Sequence, residues 1–210
     1  MANQNKIALP VAKRLPKYYR YVNEMIKNGI DKISSREFAK LMGTTASQVR
    51  QDFSCFGGLG QQGIGYSTLK LKAELEKLIF NGKTLNTILI GVGSLGNTIS
   101  KWITSERQGH KLIAAFDTNK DIIGGDVCGT KIYDINDLPN FINSNRVDIA
   151  VLCIPRNVAK EISPVLVELG ITCFWNFSHY DLSINNPNIH VENVHLGDSL
   201  LTLALLANNE

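Results

Sequence analysis

Apolar residues recur along this chain with two different periods, and the period changes near residue 82. Leu15, Tyr18/Tyr19, Val22 and Met25/Ile26 fall at helical spacing, and Gly29 sits where such a helix would end. Ser34-Ser35-Arg36-Glu37 reads as a capping box, with Ser34 as the cap and Glu37 reaching back. Phe38, Leu41 and Met42 form the inner face of the helix it opens, and Gly43 closes it. Thr45-Ala46-Ser47-Gln48 repeats the capping pattern two residues later. Two capped helices joined by a short glycine turn predict a helix-turn-helix. Residues 57–66 then hold five glycines in ten positions, which no helix tolerates, and predict a hairpin wing. Residues 68–80 return to helical spacing, with Leu71, Leu75, Leu78 and Ile79 inward, and Asn81-Gly82-Lys83 marks a boundary.

Beyond it the pattern alternates between short apolar runs and amphipathic helices. Strands are predicted over 85–90, 113–117, 131–133, 147–154 and 171–175, with helices over 97–104, 137–143 and 158–169, and 124–130 as a loop. The run 147–154 is uninterrupted, as a strand buried on both faces requires, and it ends at Pro155-Arg156. Such alternation predicts a doubly wound parallel (Rossmann) sheet. A last strand is expected over 190–195 and a last helix from a cap at Asp198, with leucines on almost every side. A helix apolar all round must be buried, and insertion into a partner subunit predicts a homodimer. The fold class is therefore α/β: a winged helix-turn-helix domain over 1–82, a Rossmann domain over 83–196 and a dimerisation helix over 197–210.

Charge sharpens this division. Residues 1–82 hold 13 lysines and arginines against 6 acids, and residues 83–210 hold 9 against 13. A basic module beside a mildly acidic one points to a polyanion as partner of the first. No apolar run approaches the roughly 18 residues of a membrane span, and no signal-type region follows the N-terminus. Cys55, Cys128, Cys153 and Cys173 form no Cys-x-x-Cys pair and read as buried free thiols in a reducing cytoplasm. The four histidines lie at no metal-binding spacing, so no metal is expected.

Two stretches carry chemistry. In Gly91-Val92-Gly93-Ser94-Leu95-Gly96, the first glycine allows a tight turn and the second a close approach to a pyrophosphate. The third lets the helix pack on its strand. Asp117 follows Gly96 by 21 residues at the end of the next strand, where an acid meets the ribose hydroxyls and repels a 2′-phosphate, favouring NAD over NADP. In the second helix of the helix-turn-helix, Ala46, Val49, Phe53 and Phe56 share one face. Ser47, Arg50, Gln51 and Ser54 share another, flanked by Gln48, with Asp52 its sole acid. Arginine forks onto guanine and glutamine pairs with adenine, so this face reads duplex DNA, and the wing, Gly63 included, lies along the backbone or minor groove.

Three other readings compete. An NAD-dependent dehydrogenase would need a proton carrier, for which His179 and His195 are the candidates. A coenzyme A-binding module could use the same glycine turn, but Asp117 argues for a free ribose diol. Cys55, near the end of the reading helix, could serve as a thiol sensor, although no basic partner is evident beside it.

A basic winged helix joined to an NAD-type Rossmann domain and an apolar terminal helix resembles the Rex family of redox-sensing transcriptional repressors. The matching pieces are Arg14-Leu15-Pro16-x-Tyr18-Tyr19-Arg20, Ser34-Ser35-x-Glu37-Phe38-Ala39 and Ser47-Gln48-Val49-Arg50-x-Asp52. To these are added Phe56-Gly57 with Gly63-x-Gly65-Tyr66, the Gly91–Gly96 turn, and Val191-Glu192-Asn193-Val194. The resemblance implies no catalysis, but a homodimer on a palindromic operator, with the terminal helices swapped. NADH would release the DNA, and the NAD+ or empty form would bind it. It places Pro155 and Asn176 towards the nicotinamide, and Arg20 in a network with a Tyr and an Asp that holds the NAD+ state. Here those two positions are Trp102 and His195, while Gln51 and Gln62 stand where the family commonly has basic residues. These departures predict weaker, less salt-dependent DNA binding, and switching carried mostly by NADH.

Overall fold

The computed structural model describes residues 7–54, 60–61, 65–106, 109–184 and 186–209. The chain divides into two compact units, Met1–Lys83 and Thr84–Glu210.

In the first unit, α1 (Leu9–Lys27) is followed by β1 (Lys32–Ile33), α2 (Ser35–Met42), α3 (Ala46–Ser54), β2 (Gly60–Gln61), β3 (Gly65–Ser67) and α4 (Thr68–Phe80). The capping box forms: the Ser34 hydroxyl accepts from the Glu37 N–H at 3.2 Å, and the Ser34 N–H donates to Glu37 Oε2 at 2.8 Å. Gly43 then ends α2 in the left-handed region, at φ 67°. The second box forms by half. Thr45 Oγ1 accepts from the Gln48 N–H at 3.2 Å, but the Gln48 side chain turns away to Asp52. Leu41, expected inward, is 45% exposed, and Ala39 is buried in its place. β1 was not expected from the pattern. It pairs antiparallel with β3 (Ile33 opposite Tyr66), which pairs in turn with β2. Gly65 is required there, because a Cβ would lie 2.7 Å from the Ile33 carbonyl oxygen. Tyr18, Phe38, Phe53 and Tyr66 stack edge to face at centroid distances of 4.9–5.6 Å and form the heart of this core.

The second unit is a seven-stranded sheet in the order β10-β9-β8-β4-β5-β7-β6. Its elements are β4 (Leu85–Ile90), α5 (Ser94–Glu106), β5 (His110–Asp117), β6 (Asp126–Val127), β7 (Thr130–Asp134), α6 (Leu138–Ser144), β8 (Ile149–Leu152), α7 (Arg156–Glu168), β9 (Cys173–Asn176), β10 (His190–Asn193) and α8 (Leu196–Ala207). All neighbouring pairs are parallel except β6 with β7. The first strand is central, and the chain crosses from β4–β5 to β8 on its other side, which is the switch point of a doubly wound sheet. Ile88, Ile90, Phe116 and Leu152 pack with Leu138 of α6 and Leu166 of α7. Leu89, Ala115 and Val151 point the other way and pack with Ile103 of α5.

Two expectations change. Residues 124–130 contain β6, turned back onto β7 through Cys128 and Gly129, both at positive φ (53° and 76°), as a type I′ hairpin needs. Cys128 is thus exposed at a turn rather than a buried thiol. The last helix begins at Leu196 after His195, so Asp198 lies inside its first turn and is not the cap. Within the chain α8 buries no residue, and Leu196, Leu200, Leu201, Leu203, Leu205 and Leu206 are each 60–70% exposed. No helix among the described residues is long and apolar enough to cross a membrane.

Candidate functional site

The cleft of the second unit is shaped by backbone. β4 is followed by Gly91, whose N–H donates to the Phe116 carbonyl at 2.8 Å and whose φ is 91°. A Cβ at Gly91 would lie 2.4 Å from the Cys153 carbonyl oxygen, and one at Gly96 would lie 1.9 Å from the Gly91 carbonyl oxygen. A Cβ at Gly93 would meet nothing within 4 Å. The first and third glycines therefore close the strand–helix contact, and the second faces open space where a ligand can approach. Gly93, Ser94 and Leu95 are exposed at the start of α5, while Val92 is buried. The orphan amides of that helix end favour an anion.

Asp117 ends β5 beside this turn. Its Oδ2 accepts from the Val92 N–H at 2.6 Å, and its Oδ1 accepts from Thr118 N and Asn119 N at 2.8 and 2.9 Å. One carboxylate thus holds the glycine turn to the next strand and keeps lone pairs for a diol. Next to it opens a cavity of about 340 Å³. Gly91, Gly93 and Asp117 give it a polar edge, and Ile135, Ile154, Val158 and Ile162 give it an apolar wall. Pro155 lines it as the residue before α7. The size suits the nucleoside part of a dinucleotide. Cys153 also lines it, but burial pushes its thiol up to about 12, so no thiolate faces the ligand. The apolar wall escaped the sequence reading, although its signal exists: Val158 and Ile162 lie one turn apart on the helix that leaves Pro155.

Asn176 ends β9 but does not line this cavity. It is fully buried, donates through Nδ2 to the Tyr180 carbonyl (2.7 Å) and Asn193 Oδ1 (2.8 Å), and accepts through Oδ1 from the N–H (3.1 Å) and hydroxyl (2.6 Å) of Ser178. Trp102 is 49% exposed and tilts against Trp175 at 5.4 Å. His195 stacks on His179 with their Nδ1 atoms 3.0 Å apart, and neither lines the cavity. Arg20, in the first unit, lies over the Tyr21 ring at 5.4 Å. Trp102 and His195 thus each hold a separate partner. Among the described residues no three His, Cys, Asp or Glu side chains gather as a metal site.

In the first unit, α3 exposes Ser47, Arg50, Gln51 and Ser54, with Gln48 half-buried at their edge. Ser47 Oγ is 2.9 Å from Thr45 Oγ1, Arg50 Nη1 donates to Ser35 Oγ at 3.2 Å, and the Ser54 hydroxyl donates to the Gln51 carbonyl at 2.7 Å. Gly63 and Cys55 lie outside the described residues. Asp52 is not part of the solvated face: it is 0% exposed. Arg14 forks onto it through Nε and Nη2, both at 2.7 Å, and the Tyr18 hydroxyl donates to Oδ2 at 2.9 Å. Burial opposes ionisation of Asp52, but the hydrogen bonds from Arg14, Gln48 and Tyr18 outweigh it and hold the carboxyl below its usual range. Burial, and then the bond to Asp52, push the Tyr18 hydroxyl up. This knot ties α3 to α1 across 38 residues of sequence, and no local signal announces it.

Residues 6–54 match a family described as a DNA-binding protein N-terminus, and residues 82–180 match a family described as a CoA binding domain. The chain is 43% identical over 210 residues to the redox-sensing transcriptional repressor Rex of Thermoanaerobacter pseudethanolicus, covering 100% of this chain and 93% of that one. It is 39% identical over 206 residues to that of Clostridium acetobutylicum, covering 98% and 96%. Among solved structures it is similar to RSP, a Rex-family repressor, with a TM-score of 0.88 and 40% identity over 98% of this chain and 96% of that chain. Similar too are RSP in complex with NAD+ and operator DNA (TM-score 0.88, 41% identity, covering 97% and 93%) and RSP in complex with NADH (0.87, 39%, covering 98% and 96%). The chain belongs to the Rex family of redox-sensing transcriptional repressors.

Proposed function

We propose that this chain represses transcription by binding a palindromic operator as a homodimer, and that NADH in the β4–α5 cleft releases it. The observation that carries the reading is the glycine turn held by Asp117 beside an apolar cavity at the switch point of the sheet. Gly93 leaves room for a pyrophosphate, Gly93 to Leu95 present backbone amides to it, and Asp117, held by the Val92 amide, takes the ribose diol. Pro155 lies on the path towards the nicotinamide, and Asn176 braces the β9 end of that path. Residues 1–82 form the DNA-binding domain, 83–196 the dinucleotide domain and 197–210 the dimerisation helix. Ser47, Gln48, Arg50, Gln51 and Ser54 face the major groove, and the wing with Gly63 tracks the backbone. The leucines of α8 meet a second copy of the chain, and the protein works where the chromosome is, in the cytoplasm.

A ligand shifts such an equilibrium only by its preference for one state, and the coupling is reciprocal. NADH and NAD+ differ by one charge and by the planarity of one ring. Trp102 and His195 stand where the Tyr and the Asp of the NAD+ network would be, which favours NADH rather than NAD+ as the effector. The test is an operator-binding titration with each cofactor. NADH should release the duplex, NAD+ should change affinity little, and bound operator should weaken NADH binding by the same factor. Equal NADH affinity with and without operator would end this account.

A further inference from the structure

Two serines follow β1, and their hydroxyls have different partners. Ser34 engages Glu37 through its N–H and its hydroxyl and caps α2. Ser35, the first residue of α2, takes no part in that box. Its hydroxyl oxygen accepts from Arg50 Nη1 at 3.2 Å, across 15 residues of sequence. The box fixes the backbone on either side of Ser35, so this acceptor starts from a defined place. The Arg50 charge also reaches the wing strand: burial raises the Tyr66 hydroxyl of β3, and Arg50 pulls it back down. The guanidinium therefore lies where α2, α3 and β3 come together.

The two arginines of this region differ in what holds them. Arg14 is forked onto Asp52, so its charge is matched by a carboxylate. Among the described residues no carboxylate forms an ion pair with Arg50, and its partner Ser35 is neutral. Arg50 is the fifth residue of α3 and is exposed. It keeps its full charge, and one donor to Ser35 leaves the rest of a guanidinium's five for a base. A guanidinium reads guanine as a planar fork, with two N–H groups aimed together at O6 and N7. A long exposed side chain samples many rotamers, and binding selects one at a cost in entropy. Tied at one corner to a helix start, the plane of Arg50 has fewer orientations to give up.

We propose that Ser35 is a positioning residue for base recognition, whose hydroxyl holds the Arg50 guanidinium at the mouth of the helix-turn-helix so that it meets guanine already oriented. The inference rests on the DNA-binding reading given above.

The test is selection by the full-length protein from a library of duplexes with randomised palindromic half-sites. Affinities are then measured at low salt on duplexes varied at one base of one half-site. Arg50→Ala should abolish guanine preference at one half-site position, which marks the base that Arg50 reads. Ser35→Ala should lower guanine preference at that same position about 3- to 10-fold and leave the rest of the base profile unchanged. Ser35→Thr, which keeps a hydroxyl, should retain most of the preference. In the Arg50→Ala background, Ser35→Ala should change nothing, because the group it positions is gone. Ser34 still caps α2 in these variants, so their thermal midpoints should match those of their parents. An equal effect of Ser35→Ala with and without Arg50 would mean that Ser35 acts by a contact of its own, and would overturn the proposal. So would an unaltered base profile in Ser35→Ala, a loss that is the same for every duplex, or an Arg50→Ala variant that keeps every base preference. Each of these leaves DNA binding intact, whereas enrichment of no duplex by the native protein overturns both readings.

Discussion

The two units build their candidate sites by opposite means. In the second, the cleft is made by what is missing: three glycines without Cβ atoms, an open approach at Gly93, and a carboxylate that binds backbone amides. In the first, the reading face is positioned by what is present: a buried Asp52 that gathers donors from Arg14, Tyr18 and Gln48. A backbone site depends on excluded volume, so single added atoms matter most. A side-chain site depends on a charge kept paired, so lost partners and pH matter most.

The largest effect expected from this contrast is at Gly96. Its Cβ would lie 1.9 Å from the Gly91 carbonyl oxygen, a backbone atom that cannot rotate away. Gly96→Ala must therefore lift α5 from β4, at a cost of about 3 kcal/mol or more. Both tryptophans, Trp102 and Trp175, lie in the second unit, so urea unfolding followed by their fluorescence reads it alone. An unchanged midpoint would mean that the helix has slack the glycine does not reveal.

Asp52→Ala comes next. It leaves the Tyr18 hydroxyl buried and Arg14 without its partner. Arg14 is partly exposed and can rehydrate, so the cost should be about 2–4 kcal/mol. Hydrogen exchange of the α1 and α3 amides would localise the loss to the first unit. The sign with pH follows from the depressed folded pKa of Asp52. Its stabilisation is present in full above the unfolded carboxyl value of about 4 and disappears as pH falls through the lower folded value. The gap between native protein and Asp52→Asn in thermal midpoint should thus stay constant from pH 7 to about 5 and close below about 4. A gap that persists at pH 2 would remove the charge from the explanation.

α8 belongs to neither pattern, since it exposes six leucines along one helix. The double variant Leu201→Asp with Leu205→Asp should halve the mass seen by sedimentation, with little change in the tryptophan-monitored unfolding of the chain at equal protein concentration beyond that owed to dissociation. A dimer that survives both aspartates would place its interface elsewhere.

The contrast also explains what could be read from residues alone. The Gly91–Gly96 turn and the Ser34–Glu37 box were legible because each residue answers a local backbone demand within a few positions. The parallel sheet was legible because Ile88, Ile90 and Leu89 are buried on both faces, which leaves an unbroken apolar run. Asp52 was not, because it looks like any acid on a polar helix until Arg14, 38 residues earlier, comes to it. β1 has two residues and exists only through its pairing with β3, so no periodicity could announce it. The β6–β7 hairpin was hidden by Cys128, which takes the positive φ where asparagine or glycine would have signalled a turn.

The smallest expected effect on stability is at Gly93, and it separates the two kinds of glycine most cleanly. Gly93 is not at positive φ, and an added Cβ meets nothing within 4 Å. Gly93→Ala should therefore unfold with the native protein, within about 0.5 kcal/mol. The same methyl group projects into the space offered to a pyrophosphate, so NADH affinity should fall on the order of tenfold or more. Calorimetric titration with NADH beside urea unfolding gives both numbers on one sample. A stable variant with undiminished NADH binding would show that the dinucleotide does not pass over Gly93, and the cleft as drawn here would need another occupant.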